Sequence, residues 1–207
     1  MVSMAEDYGM SEQELEQMYQ EVILDASKHP HGRIELAEQS STGPVVAASQ
    51  AQTTLQGEHE YCVPAQSQQF NPTCGDTATI HVEVSDGSDG RPNRIERIVW
   101  DGQGCSISQA SLSIMVDLVQ GQSVDAAMKL AGDFRQLMES RGAGLQDEAA
   151  NEALGDAVVF QGVSKYPMRI KCALLGWEGM KASVAQALTQ MGSNAQASDG
   201  QQDECER

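Results

Sequence analysis

Basic residues are scarce in this chain. Thirteen lysines and arginines stand against thirty aspartates and glutamates over 207 residues, a formal net charge of -17. A surface that negative repels phosphate backbones, and no basic stripe offsets it, so neither nucleic acid nor an anionic membrane is expected as a partner. Long apolar runs are missing too: none reaches the roughly 18 to 20 residues a membrane-spanning helix needs. The acidic start, Met1 to Gly9, has neither the charged nor the apolar region of a secretion signal. The expected location is therefore the cytoplasm. The five cysteines include no Cys-x-x-Cys pair, and in a reducing compartment an odd number of thiols points to metal ligands or nucleophiles rather than disulfide halves. Gly102-Gln103-Gly104 lacks the further glycines and the lysine of a nucleotide-binding loop, which removes that class as well.

What is present suits one domain with decorations, large enough for a single core. Ser11 and Glu14 form a capping-box pattern, and Leu15, Met18, Tyr19, Val22, Ile23 and Ala26 repeat at helical spacing behind it. The pattern predicts a helix over 11–28, stopped by His29-Pro30-His31-Gly32. Residues 39–57 are Ser, Thr, Gln and Ala with little apolar content, the composition of a loop or disordered insertion. The period then changes from 3.6 to 2. Ala78, Ile80, Val82 and Val84 alternate with Thr77, Thr79, His81 and Glu83, a strand with one buried face, and a turn over 86–93 leads into a second strand over 95–100. A third strand is expected between Glu60 and Phe70.

Helical spacing returns after Gly104, with Ile107, Ala110, Ile114 and Leu118 along one face. Gly121 breaks the run, Ser123 caps the next helix, and Ala127, Leu130, Phe134 and Leu137 form its apolar stripe. Residues 139–161, rich in Gly, Ala, Gln and acids, look like a second, partly helical insertion. Pro167 suits the first turn of a helix that includes Cys172, and Trp177, Met180, Val184, Leu188 and Met191 continue it. The expected organisation is a flexible acidic N-terminus over 1–10, one domain over 11–191 and a disordered polar tail over 192–207. The expected class is α+β, a small antiparallel sheet of three strands covered by helices.

Three thiols sit in segments with their own local logic: Asn71-Pro72-Thr73-Cys74-Gly75-Asp76, Gly102-Gln103-Gly104-Cys105-Ser106 and Arg169-Ile170-Lys171-Cys172-Ala173. Cys74 and Asp76 are two apart across a glycine, so their side chains can share one side. Cys105 follows glycines at a helix start, where free N–H groups and the helix dipole favour a thiolate. Three thiolates and a carboxylate match the preference of zinc, although iron-sulfur clusters take thiolates as well. Each cysteine can equally be read as a small buried hydrophobe. Cys62 and Cys205 read as bystander thiols, and His29, His31, His59 and His81 as surface or loop histidines without pairing at ligand spacing.

These segments, in this order, resemble the SufU-type sulfur acceptors of iron-sulfur cluster assembly, the zinc-binding branch of the family that also holds the IscU and NifU-type scaffolds. The likeness runs from about Gln17 to Leu188. IscU-type scaffolds carry a His before the third cysteine and a Leu-Pro-Pro-Val-Lys segment. Here Lys171 precedes Cys172, and residues 163–168 lack that motif. The extended segment of 133–161 between the second and third cysteines is a further SufU-type trait, so the resemblance favours that branch.

The likeness implies an IscU-like fold carrying two insertions, at 39–57 and 139–161. It implies a zinc-dependent sulfurtransferase, with metal ligands Cys74, Asp76, Cys105 and Cys172. Cys74 would be the persulfide acceptor, and Arg169 would dock the partner or bias the thiolate unless it is a surface arginine paired with a local acid. The implied partners are a pyridoxal-phosphate cysteine desulfurase of SufS type and a downstream iron-sulfur scaffold. The alternative is that the same cysteines assemble an iron-sulfur cluster.

Overall fold

A computed structural model of the chain describes residues 11–36, 62–85, 87 and 90–199. Helix α1, Glu12–Lys28, opens with the capping box expected from its sequence: the Glu14 N–H donates to Ser11 Oγ at 3.3 Å, and the Ser11 N–H donates to Glu14 Oε2 at 2.8 Å. Beyond the stop at His29, the chain runs beside Trp100, whose N–H donates to Gly32 O and whose carbonyl accepts from the Ile34 N–H, both at 2.9 Å.

Strands β1 (Cys62–Asn71), β2 (Asp76–Ser85) and β3 (Ile95–Gln103) form one antiparallel sheet in sequential order. The β1–β2 hairpin closes on the pair Asn71 and Asp76, leaving 72–75 as its tip. The far end of β3 runs beside the start of β2, with Gln103 opposite Thr77. Ala78, Ile80, Val82 and Val84 are fully buried, as their alternation requires.

The opposite face departs from expectation. His81 is only 7% exposed and Glu83 is buried too, so the reading of His81 as a surface histidine is corrected. The physical reason lies in the register. His81 stands on the middle strand between Gln66 and Val99, and neighbours on both sides shield a side chain there in a way no edge strand can.

Helices α2 (Ser106–Val119), α3 (Val124–Glu139), α4 (Glu148–Leu154) and α5 (Pro167–Asp199) follow, with a 3₁₀ stretch, Gly155–Lys165, between the last two; α2 and α5 pack on the sheet, and the others pack behind them. Helix α3 is capped by Ser123, which accepts from the Ala126 N–H, and it buries Ala127, Leu130, Phe134 and Leu137. Phe134 stacks on Trp177 of α5 at 4.7 Å between ring centroids and meets Phe160 edge-on at 5.6 Å. Such aromatic pairs contribute about 0.5–1.5 kcal/mol each beyond their area.

Helix α2 is buried on nearly every side rather than on one face. Ser108, Ser111 and Ser113 tolerate that position because their hydroxyls find partners. Ser111 Oγ donates to Ala173 O at 2.6 Å and accepts from Trp177 Nε1 at 3.2 Å, which pins α2 to the part of α5 that carries Cys172.

Residues 1–10 and 39–57 lie outside the described residues. Residues 139–161 form the turn, α4 and part of the 3₁₀ stretch, and they supply Leu154, Ala157 and Phe160 to the core. The expected disorder from 192 onward is corrected in part. Helix α5 continues to Asp199, its hydroxyls bonding back along the helix, Ser193 Oγ to Thr189 O at 3.0 Å, and with no proline to stop it the helical repeat propagates. Residues 200–207 lie outside the described residues.

Candidate metal centre

Three separated segments meet at one end of the sheet. Cys74 sits on the hairpin tip and Asp76 opens β2; Cys105 is the N-cap of α2, and Cys172 lies in the second turn of α5. Cys74, Asp76 and Cys172 each offer a ligand atom within 4.8 Å of the others. Cys105 stands outside that mutually close set and joins it through Asp76, with its Sγ 3.7 Å from Asp76 Oδ2.

Two glycines make the convergence possible. Gly75 has φ +74°, a left-handed turn that lets Cys74 and Asp76 face one site. Gly104 packs directly on the carboxylate, since a Cβ there would stand 2.4 Å from Ser108 Oγ and 3.0 Å from Asp76 Cβ and Cγ. The Gly104 carbonyl accepts from Gln109 Nε2 at 2.7 Å, and Arg33 Nη2 donates to Gly102 O at 2.9 Å while the guanidinium covers the Trp100 ring. The loop leading into Cys105 is thus held at several points.

The four side chains differ in exposure. Asp76 is 2% exposed and accepts from the Cys105 N–H through Oδ1 at 3.1 Å, at the positive end of α2. Cys172 is 1% exposed, with its Sγ 3.1 Å from Cys74 Sγ and 3.3 Å from the donor Asn71 Nδ2. Cys74 and Cys105 are exposed. Burial above all, then hydrogen bonds to Cys74 and Asp76 and the neighbouring negative groups, pushes the Cys172 thiol far above its ordinary range. A thiolate in that pocket calls for a cation beside it. Three thiols and a carboxylate are the soft, anionic donor set that zinc takes, and iron-sulfur clusters also accept thiolates.

The remaining candidates separate cleanly. Arg169 is exposed on the first turn of α5, its guanidinium 4.7 Å from the Tyr166 ring centroid. It pairs with no carboxylate among the described residues, so the bland expectation of a local acid partner is not met. Cys62 opens β1 at the end opposite Asn71, while Cys205 and His59 lie outside the described residues. His31 pairs with Asp117 at 2.8 Å and His29 with Asp25 at 3.2 Å, both exposed.

One participant escaped the sequence reading. Asn71 touches Cys172, and the signal available was the Asn-Pro that opens the Cys74 segment, the kind of Asx position that shapes its own turn.

The family model of the NifU-like N-terminal domain matches residues 18–173. The chain belongs to the NifU-like N-terminal domain family. Its fold, a three-stranded antiparallel sheet with helices on one face, is that of the IscU and NifU-type proteins. Over 175 residues it is 32% identical to the iron-sulfur cluster assembly scaffold protein IscU of Streptococcus pyogenes serotype M1, covering 84% of this chain and 87% of that one. Over 115 residues it is 36% identical to the zinc-dependent sulfurtransferase SufU of Bacillus subtilis strain 168, covering 56% of this chain and 71% of that one. Among solved structures, a candidate SUF-system iron-sulfur cluster assembly scaffold from Fervidobacterium islandicum AW-1 superposes with a TM-score of 0.54 at 27% identity, covering 81% of this chain and 96% of that one. As a NifU-like domain, the protein carries Cys74, Cys105 and Cys172 at the sheet end where β1–β2, β3–α2 and α5 come together.

Proposed function

We propose that this protein acts in iron-sulfur cluster assembly as a persulfide acceptor, with Cys74 as the reacting thiol at a zinc site formed by Cys74, Asp76, Cys105 and Cys172. The observation that carries this reading is the contrast between adjacent sulfurs. Cys74 and Cys172 are 3.1 Å apart, yet Cys74 is exposed on a hairpin tip and Cys172 is buried in a helix. One sulfur is placed to meet a partner, the other to stay.

Zinc, when bound, keeps thiolates ionised at neutral pH and exchanges ligands without redox change. The Cys74 thiolate attacks the outer sulfur of a persulfide carried by a cysteine desulfurase. A new S–S bond forms at Cys74, the donor's S–S bond breaks, and the electron pair leaves with the donor cysteine as its thiolate. Asp76, Cys105 and Cys172 hold the site meanwhile. Phe70, Met168 and Tyr166, exposed although large and apolar, neighbour the site in sequence and supply docking surface. Arg169, stacked on Tyr166, belongs to the same surface. The partner is a pyridoxal-phosphate desulfurase of SufS type, the sulfur passes to a downstream scaffold, and the protein works in the cytoplasm. No helix among the described residues is long and apolar enough to cross a membrane.

The second reading, a scaffold that assembles a cluster on the same thiols, is favoured by the 32% identity to a protein named as a scaffold over most of both chains. Metal content and desulfurase-driven sulfide release distinguish the two. About one zinc per chain with Cys74-dependent stimulation supports sulfur acceptance. Bound iron and labile sulfide without stimulation supports the scaffold.

A further inference from the structure

One buried residue touches one member of the thiol pair and shapes the loop that carries the other. Asn71 is 3% exposed and ends β1. Its Oδ1 accepts from the Thr73 N–H at 3.1 Å, and its carbonyl accepts from the Gly75 N–H at 2.9 Å, so it shapes the loop that carries Cys74 from both ends. Its Nδ2 donates to Cys172 Sγ at 3.3 Å. Among the described residues, Cys74 Sγ receives no such amide donor.

An N–H donor to a sulfur stabilises the thiolate against protonation, orients it, and withdraws the electron density that would make it a nucleophile. The two sulfurs are therefore chemically unequal. We propose that Asn71 is a positioning residue that anchors Cys172 at the metal centre and leaves Cys74 as the sulfur that moves and reacts. The proposal deepens the reading above and rests on it, because it assigns to one residue the direction of the reaction at that site.

Two variants separate the sulfur contact from the loop contact. Asn71→Asp keeps the shape and the acceptor for the Thr73 N–H but loses the N–H donor. Asn71→Ser is neutral and keeps a short acceptor but cannot reach Cys172. The measurements are zinc affinity by chelator competition, the sulfur-to-cobalt charge-transfer band of the cobalt-substituted protein, and the ratio of Cys172 to Cys74 labelling by iodoacetamide. Labelling is mapped by mass spectrometry with and without zinc, and circular dichroism checks the fold of each variant.

Both variants are expected to lose zinc affinity by roughly 10- to 100-fold, the usual effect of removing a residue that supports a ligand. In both, the cobalt band moves to lower energy and Cys172 gains label relative to Cys74. Wild-type affinity, band position and labelling ratio in both variants overturn the proposal. So does an Asn71→Asp protein indistinguishable from wild type beside an impaired Asn71→Ser, since loop shaping then explains everything. A wild-type chain that takes no zinc, yet protects Cys172 in an Asn71-dependent way, overturns the metal reading and supports the role of Asn71.

Discussion

The Asp76 carboxylate accepts a hydrogen bond from the Cys105 backbone N–H at 3.1 Å, joining the first residue of β2 to the N-terminus of α2. The bond fixes one carboxylate oxygen and leaves the other, Oδ2, beside the Cys105 thiol at 3.7 Å. The donor set is thus arranged by backbone geometry before any metal arrives. The proposed chemistry leads to four further expectations.

Gly104→Ala places a methyl group against Ser108 Oγ and the Asp76 side chain. Asp76 must shift, so zinc affinity measured by chelator competition falls by roughly 10-fold or more. Gly162→Ala, where a Cβ meets nothing within 4 Å, serves as the control and retains wild-type affinity. Equal affinities in the two variants would remove Asp76 from the site.

Cys74→Ala leaves the core untouched, because the hairpin tip is exposed. Compared metal-free, its stability in urea should match wild type to within about 0.5 kcal/mol, as for most surface substitutions, while stimulation of sulfide release by the desulfurase disappears. A variant that still accepts sulfur would eliminate Cys74 as the acceptor.

Metal removal should weaken the protein without unfolding it. Ile80, Trp100, Phe134 and Trp177 form a core that no metal ligand holds together. Zinc at a hundred times its dissociation constant adds about 2.7 kcal/mol by mass action, which corresponds to a rise in Tm of roughly 5–11 °C at about 2–4 °C per kcal/mol for a chain of this size. Stripping should lower the melting temperature and preserve the helical circular dichroism. A stripped protein without helical signal would make the metal structural.

His81 should contribute a slope of stability with pH. Burial lowers its folded pKa, an effect that outweighs the attraction of Glu83. The folded state therefore resists the proton that the unfolded state takes up below about 6.5. The contribution is fully present above the unfolded pKa, is lost as pH falls from there toward the lowered folded value, and levels off beneath it. Urea unfolding of wild type and His81→Gln between pH 8 and 5 measures it. The difference between the two curves should shift against wild type as the solution is acidified, and parallel curves would show that His81 does not titrate differently on folding.

The helices were legible because their signals are local. A capping box at Ser11, a cap at Ser123, a proline at position 167 and apolar residues at helical spacing each act within a few residues, and all reappear in the structure. The central strand was legible from its alternation. The burial of His81 was not, because it depends on which strands flank β2, and a period of two identifies faces without saying what stands beside them. The thiol segments could be singled out from the chain, yet Cys105 lies 31 positions beyond Cys74 and Cys172 a further 67.

By itself, then, the sequence determined the elements, the acidic surface and the set of soft ligands, all of which follow from residue type and short-range spacing. Only the tertiary structure decided that Cys74 is exposed while its neighbour Cys172 is buried, and that Asn71 reaches the buried one. Those inequalities come from the close approach of a hairpin tip to a helix far along the chain, and no local pattern encodes which side chains such a meeting covers.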